Sequence, residues 1–396
     1  MNSNLARDSP ENESTCEPRH PPVKRSHILV TGGTGYIGSH TVVELLNAGH
    51  SVIVVDNFAN SSPLALDAIR KVSGRDFAFI EGDVADARVL DEAFGHQSVD
   101  ACIHFAGLKA VAESVHQPMR YFLTNLGTSM SLFDAMIRHH VRRLVFSSSC
   151  TVYGEPDHVP ITEDSPLQAK NPYGRTKLMI EDMLRDLAVS DPTWRISVLR
   201  YFNPVGAHSS GELGEDPEGI PNGLMPYVMQ TAAGTREYLP VFGSDYPTRD
   251  GTCVRDFVHI VDLARGHLAA LSALDVWSPG CRALNLGTGK GTTVFEMLAA
   301  AERASGAPIP RRVLERRAGD ASSVFSDPTL ARVELGWTAT LDIDDMCRDH
   351  WRWQSTHPWG FRAPASLAVS ISTTEQGSTE QGSTEKRFSD RASVHH

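Results

Sequence analysis

His27-Ile28-Leu29-Val30-Thr31-Gly32-Gly33-Thr34-Gly35-Tyr36-Ile37-Gly38 runs from an apolar stretch through a glycine-rich turn into an amphipathic segment. A short apolar run closed by glycine reads as a buried strand. Tyr36–Asn47 has helical periodicity and stops at Gly49. Gly32, Gly35 and Gly38 therefore form Gly-x-x-Gly-x-x-Gly at a strand-to-helix turn. Glycine there allows a tight turn and close approach of backbone to a pyrophosphate. The helix N-terminus offers that anion unpaired N–H groups and a positive dipole end. Asp56 ends the next strand, eighteen residues beyond Gly38, near the ~20 expected for a carboxylate that accepts from the adenosine ribose hydroxyls. It would repel a 2′-phosphate, which favours NAD over NADP. Asp83-Val84, after the third strand, is a candidate contact for the adenine. The bland alternative for each aspartate is a simple strand end.

Working outward, strand-like segments at Ser51–Val55, Phe77–Ile80, Asp100–Phe105, Arg143–Phe146 and Arg195–Leu199 alternate with helical ones at Asp86–Phe94, Met119–His139 and Tyr173–Val189. Such alternation implies right-handed crossovers and a doubly wound parallel sheet of Rossmann type. After Asn203 the texture changes. Gly206–Gly223 is rich in Gly, Pro, Glu and Asp and reads as a long loop. Shorter strands (Tyr238–Phe242, Ala283–Leu286) and helices (Val261–Ala273, Thr293–Ala304) follow. They predict a smaller, interleaved α/β substrate domain. The expected division is an NAD-binding domain over 26–202 and a mainly substrate-binding domain over 203–362, with segments returning to the first. Residues 1–25 and 363–396 are polar; the latter hold two copies of Thr-Glu-Gln-Gly-Ser, at Thr374–Ser378 and Thr379–Ser383. Both read as disordered arms.

The chain has 396 residues, 41% hydrophobic and 21% charged, with a formal net charge of −11. That charge argues against a broad nucleic-acid surface. The longest apolar runs are strand-sized, which argues against a membrane span. Six cysteines are scattered with no Cys-x-x-Cys pair, and the 17 histidines have no metal-ligand spacing. No metal site or disulfide framework is expected. The N-terminus has no signal-peptide pattern, so a reducing cytoplasm is the expected setting.

Downstream of Ser147-Ser148-Ser149 stands Tyr173-Gly174-Arg175-Thr176-Lys177. On a helix, positions four apart share a face. An unperturbed phenol, with a pKa of about 10, is a poor base at neutral pH. A nearby cation favours its ionised form. The pair thus reads as an acid/base centred on Tyr173, although the same spacing alone also occurs as an exposed helical contact.

Together the glycine turn, the serine run and Tyr-x-x-x-Lys resemble the extended short-chain dehydrogenase/reductase family. The strings His104–Val111, Ser147–Gly154, Leu199–His208, Gly214–Pro221 and Asp250–Asp256 narrow the resemblance to its UDP-glucose 4-epimerases, over about Ser26–Phe361. The resemblance implies reversible oxidation at carbon 4 of a UDP-hexose with tightly bound NAD, interconverting UDP-galactose and UDP-glucose in galactose metabolism. Tyr173 would exchange the proton of the 4-hydroxyl, with Ser149 on the same oxygen. Lys177 would hold the nicotinamide ribose and, with the cationic ring, lower the Tyr173 pKa. Cofactor contacts would come from Gly32, Gly35, Tyr36, Ile37, Gly38, Asp56, Asn57, Asp83, Val84, Phe105, Lys109, Asn125, Ser149, Tyr173, Lys177 and Tyr201. Substrate contacts would come from Ser149, Tyr173, Phe202, Asn203, Phe242, Arg255, Arg317, Asp320 and Val324. Core packing is the alternative for Phe202 and Phe242. A homodimer through Met119–His139 and Tyr173–Val189 is also implied.

The chain departs from the pattern in places. Gly223 replaces a substrate-contacting asparagine, Cys150 a common alanine and Phe257 a common tyrosine. Val324 falls at a pocket position that is tyrosine in enzymes restricted to UDP-glucose and UDP-galactose. The smaller residue suggests that UDP-GlcNAc and UDP-GalNAc are also accepted. Dehydratases of this fold carry an acidic pair where Cys150 and Thr151 stand, so dehydration is disfavoured. An epimerase of another UDP-sugar, such as UDP-glucuronate, is the nearest rival.

Overall fold

The computed structural model describes residues 25–361 except 218, 220, 222 and 318. Both arms expected to be disordered lie outside the described residues except for Arg25. The first half alternates β1 (His27–Thr31), α1 (Tyr36–Asn47), β2 (Ser51–Asp56), α2 (Leu64–Ser73), β3 (Ala78–Glu81), α3 (Ala87–His96) and β4 (Ala101–His104). The next helical stretch is broken. It comprises α4 (Val111–His116), α5 (Pro118–Tyr121), a π-helical turn at Phe122–Leu126 and α6 (Gly127–Arg138). Then come β5 (Arg143–Ser149), α7 (Pro172–Ser190), β6 (Arg195–Tyr201) and β7 (Asn203–Val205).

The second half contains α8 (Leu224–Ala232), β8 (Leu239–Phe242), β9 (Val254–His259), α9 (Ile260–Val276), β10 (Gly280–Leu286) and β11 (Gly291–Thr293). It ends with α10 (Val294–Ser305), β12 (Arg311–Leu314), β13 (Ser323–Val324), α11 (Thr329–Leu335) and α12 (Ile343–Thr356).

Seven strands form one parallel sheet in the order β10-β6-β5-β4-β1-β2-β3. This is the doubly wound architecture expected, and the order reverses between β1 and β4. Alternation along β1 shows why the sheet is covered twice. Ile28 and Val30 pack toward α1 and α9, while Leu29 packs with Leu132, Ile180 and Leu184 on the opposite face. The seventh strand, β10, comes from the second half of the chain yet pairs with β6 from Gly280↔Arg195 to Leu286↔Tyr201. A smaller sheet pairs β9 with β7, β11 and β13, and β8 pairs with β12. A separate core of Met225, Val228, Leu239, Val241, Met297 and Met346 holds these elements to α8, α10 and α12.

Candidate active site

The carboxyl ends of β1, β2, β4, β5 and β6 open on one side of the sheet, where the order reverses. Ligands of open parallel sheets bind in such a crevice. At the end of β1 the glycine turn is built from closely apposed backbone. Gly32 has φ +71°, and a Cβ there would lie 2.7 Å from the Ala106 nitrogen; a Cβ on Gly38 would lie 2.2 Å from the Gly32 carbonyl oxygen. Gly35 caps α1 without any side-chain hydrogen bond, so the first N–H groups remain available to an anion. Tyr36 donates to the Gly206 carbonyl at 2.7 Å, and Ile37 packs on the core.

Asp56 is buried. Its carboxylate accepts from Thr34 N–H (3.0 Å), Phe58 N–H (3.0 Å) and Ser61 Oγ (3.2 Å). It thus fastens the glycine turn to the end of β2. A carboxylate has about four acceptor positions, so this bonding still leaves room for a ribose hydroxyl. Asn57 reaches toward Asp83, which also caps Ala85 N–H at 2.8 Å, and Val84 is buried beside them.

Beyond β4, Phe105 packs against the His267 ring at 4.9 Å, and Tyr201 hydrogen-bonds the same histidine. Lys109 is paired with Glu215 at 3.0 Å. Asn125, in the π-helical turn, is buried and spends its amide on the protein. Its Oδ1 accepts from Leu108 N–H (2.8 Å), while Nδ2 donates to the Leu108 carbonyl (3.1 Å) and Thr176 Oγ1 (3.0 Å). It therefore splices the β4–α4 loop to α7. Single π turns within α-helical stretches often mark functional sites.

α7 begins at Asn171, whose side chain accepts from Gly174 N–H at 2.8 Å, with Pro172 as the first helical residue. Tyr173 and Lys177 fall on the face toward β5. The Lys177 ammonium donates to the Ser147 carbonyl at 2.7 Å and lies over the Phe146 and Tyr173 rings at 4.9 and 6.0 Å. Burial pulls this lysine down to about 8, opposed by the charge of Glu181. Burial also pushes the Tyr173 phenol up to about 12; Ser149 opposes the rise and Cys150 adds to it. Within the protein alone, removal of water from the phenol sets this direction. Ser149 Oγ accepts from Thr151 N–H (3.2 Å) and Thr151 Oγ1 (3.0 Å).

The other predicted contacts gather across the crevice. Phe202 is buried in a cluster with Val152, Tyr153 and Ile161, against which Cys150 and Val324 also pack; packing already accounts for its burial. Phe242 is 37% exposed, with the Arg317 guanidinium 5.4 Å from its ring. Arg317 forms a fork to both oxygens of Asp320 at 3.1 and 3.0 Å, and Arg255 approaches Asp320 at 3.9 Å. Arg255 also donates to the Val254 and Ala321 carbonyls at 2.8 and 2.9 Å. Asn203 begins β7 and pairs with Phe257.

Thr151, Ser147 and Glu215 are contacts that the sequence reading did not assign. Thr151 was legible two residues beyond the serine run; Glu215 was not, because its partner Lys109 is 106 residues away.

Residues 28–287 match the NAD dependent epimerase/dehydratase family. The chain belongs to this family. It is similar to the UDP-glucose 4-epimerase of Dictyostelium discoideum, with 54% identity over 334 residues, 84% of this chain and 97% of that protein. It is also similar to the mouse (Mus musculus) UDP-glucose 4-epimerase, with 53% identity covering 85% and 99% of the two chains. Among solved structures, the UDP-glucose 4-epimerase of Bifidobacterium longum in complex with NAD+ and UDP superposes with a TM-score of 0.82. Its identity is 48%, and 85% of this chain and 100% of that chain are covered. For the UDP-Glc/GlcNAc 4-epimerase of Campylobacter jejuni the TM-score is 0.74 at 36% identity, covering 84% and 99%. The cofactor of this family member is NAD. The bare glycine turn, the uncapped start of α1 and the spare capacity of Asp56 fit it.

Proposed function

We infer that this chain is a UDP-hexose 4-epimerase that interconverts UDP-galactose and UDP-glucose. One observation carries the reading. Ser149 and Tyr173 face each other at the end of β5 with Lys177 anchored beside them, while Cys150 and Thr151 occupy the positions where a dehydratase needs carboxylates. When bound, NAD supplies the acceptor and donor of the carbon-4 hydride and a positively charged ring beside the phenol. Tyr173 takes the proton from the 4-hydroxyl and returns it after the keto sugar has turned over in the pocket. Ser149, itself receiving a hydrogen bond from Thr151, is placed to donate to the same oxygen. Lys177 spends one N–H on the Ser147 carbonyl and keeps two for the nicotinamide ribose. Arg255 and Arg317 suit the diphosphate, because guanidinium binds phosphate oxygens as a fork. Asp320 holds the two arginines near each other until the nucleotide arrives.

Residues 26–202 would chiefly hold NAD and residues 203–362 the UDP-sugar. Val111, Val115, Met119, Leu123 and Met130 expose apolar side chains on α4 to α6, and Met179 does so on α7. A second copy covering that face would make the homodimer. The five described cysteines are unpaired, in keeping with a reducing cytoplasm. No helix among the described residues is long and apolar enough to cross a membrane.

The test is incubation of purified protein with UDP-galactose and no added NAD. UDP-glucose should form. Turnover of UDP-glucuronate in place of UDP-galactose would move the assignment to the other sugar. Tyr173→Phe should abolish turnover and keep NAD bound; activity within about tenfold of wild type would refute the role given to Tyr173. Val324 supports the further reading that UDP-GlcNAc and UDP-GalNAc are interconverted. No turnover of UDP-GlcNAc by protein that is active on UDP-galactose would sink it.

A further inference from the structure

One turn beyond Lys177, α7 carries Glu181, whose side chain is wholly buried. Residues 173, 177 and 181 recur at intervals of four and share a helix face. A carboxylate shut away from water must be compensated by partners. Ser148 Oγ donates to Glu181 Oε1 at 2.6 Å. Arg200, itself buried, donates from Nε to Oε1 at 3.1 Å and from Nη2 to Oε2 at 2.7 Å, a bidentate pair. Arg185 reaches Oε2 from the surface at 3.4 Å.

These partners stand in telling places. Ser148 lies between Ser147, whose carbonyl accepts from Lys177, and Ser149. Arg200 precedes Tyr201 on β6, and its Nη1 is held by the Tyr153 hydroxyl at 2.9 Å and the Glu163 carbonyl at 3.2 Å. One carboxylate thus joins α7 to β5 and β6 at the ends that present Ser149 and Tyr201.

The charged and titratable groups around the lysine are few. Tyr173 and Glu181 lie on its own helix. His104 faces it from β4 and is driven by burial to about 3, hence neutral at pH 7. Arg200 and Tyr201 stand on β6, and Cys150 adjoins Tyr173. Glu181 is the group whose negative charge supports the ammonium against burial.

We propose that Glu181 is a positioning residue for the reaction inferred above, and the proposal rests on that reading. Its clamped carboxylate fastens the helix face that carries Tyr173 and Lys177 to the end of β5, and so holds Ser149 in place against Tyr173.

The experiment measures UDP-galactose turnover by the NAD-loaded protein across about pH 6 to 10, together with the NAD retained after purification. Glu181→Gln removes the charge at nearly constant shape. It should lower kcat at least about tenfold, leave KM within about twofold and retain NAD. The alkaline limb of kcat should move about one pH unit lower, because an unsupported lysine loses its proton sooner. Glu181→Asp keeps the charge and should restore the limb with an intermediate kcat. It carries the test alone if Glu181→Gln does not fold, and a kcat within about twofold of wild type would then overturn the proposal. An unmoved limb in Glu181→Gln, or loss of NAD from the folded variant, also overturns it. Tyr173→Phe separates the two levels. Retained turnover there sinks the reading of the whole site, whereas lost turnover there with a normal Glu181→Gln profile sinks the role of Glu181 alone.

Discussion

Val324 of β13 lies opposite Arg255 of β9 in parallel register, so a two-residue strand ties the residue proposed to line the sugar pocket to a cation proposed for the diphosphate. The same valine, like Cys150, packs on the cluster that contains Phe202. Val324→Tyr should fill the space beside this cluster. The expected outcome is loss of UDP-GlcNAc turnover by at least about 100-fold, with UDP-galactose turnover within about threefold, read as kcat/KM for the two sugars.

Asp256, next to Arg255, is fully buried and accepts five hydrogen bonds: from Thr288 N–H (2.8 Å) and Oγ1 (2.5 Å), Gly289 N–H (3.1 Å), and Ser326 N–H (3.0 Å) and Oγ (2.6 Å). Asp256→Asn turns one acceptor into a donor that faces other donors. It should cost about 3 kcal/mol, measured as a lower urea midpoint at unchanged m-value.

Acid should destabilise the fold before it damages the chemistry. Burial drives His40 and His104 down to about 3, and His267 and His350 to about 4. Folding favours their neutral forms, so the unfolded chain binds more protons below about 6.5. Their stabilising contribution is complete above that pH and is lost as pH falls toward the folded values. Each costs roughly 1.4 kcal/mol per pH unit within that window. The urea midpoint should drop steadily from about pH 7 to 5, and His104→Gln should flatten that slope.

Gly223 caps α8 with no side-chain hydrogen bond, and a Cβ there would lie 3.3 Å from Pro226 Cδ. Gly223→Asn should add a side-chain cap worth a few tenths of a kcal/mol. It should also lower KM for UDP-galactose by restoring the amide common at this position. An unchanged KM would mean that the amide makes no substrate contact here.

The β1 strand, the glycine turn and α1 were legible because each depends on neighbours in sequence. Their bounds, His27–Thr31 and Tyr36–Asn47, are those that the pattern predicts. The long helix expected at Met119–His139 is instead broken at Phe122–Leu126. No periodicity reveals that Asn125 is drawn inward to bind Leu108 and Thr176. α2 and α4 also escaped the pattern: α4 has only six residues, and α2 starts with no side-chain cap to mark it. The Tyr173–Lys177 spacing was readable, and Glu181 lay within reach of the same count. The strength of its clamp was not readable, because Ser148 and Arg200 are 33 and 19 residues away.

The placement of β10 at the far edge of the main sheet has a consequence for biosynthesis. On the ribosome, β6 emerges about eighty residues before the strand that covers it. Until Leu286 is free of the exit tunnel, the nascent sheet presents β6 as a bare hydrogen-bonding edge, open to stray strands. Nascent chains stalled with β6 outside the tunnel and β10 still within it should therefore cling to chaperones, and those released beyond the α12 stretch should let go.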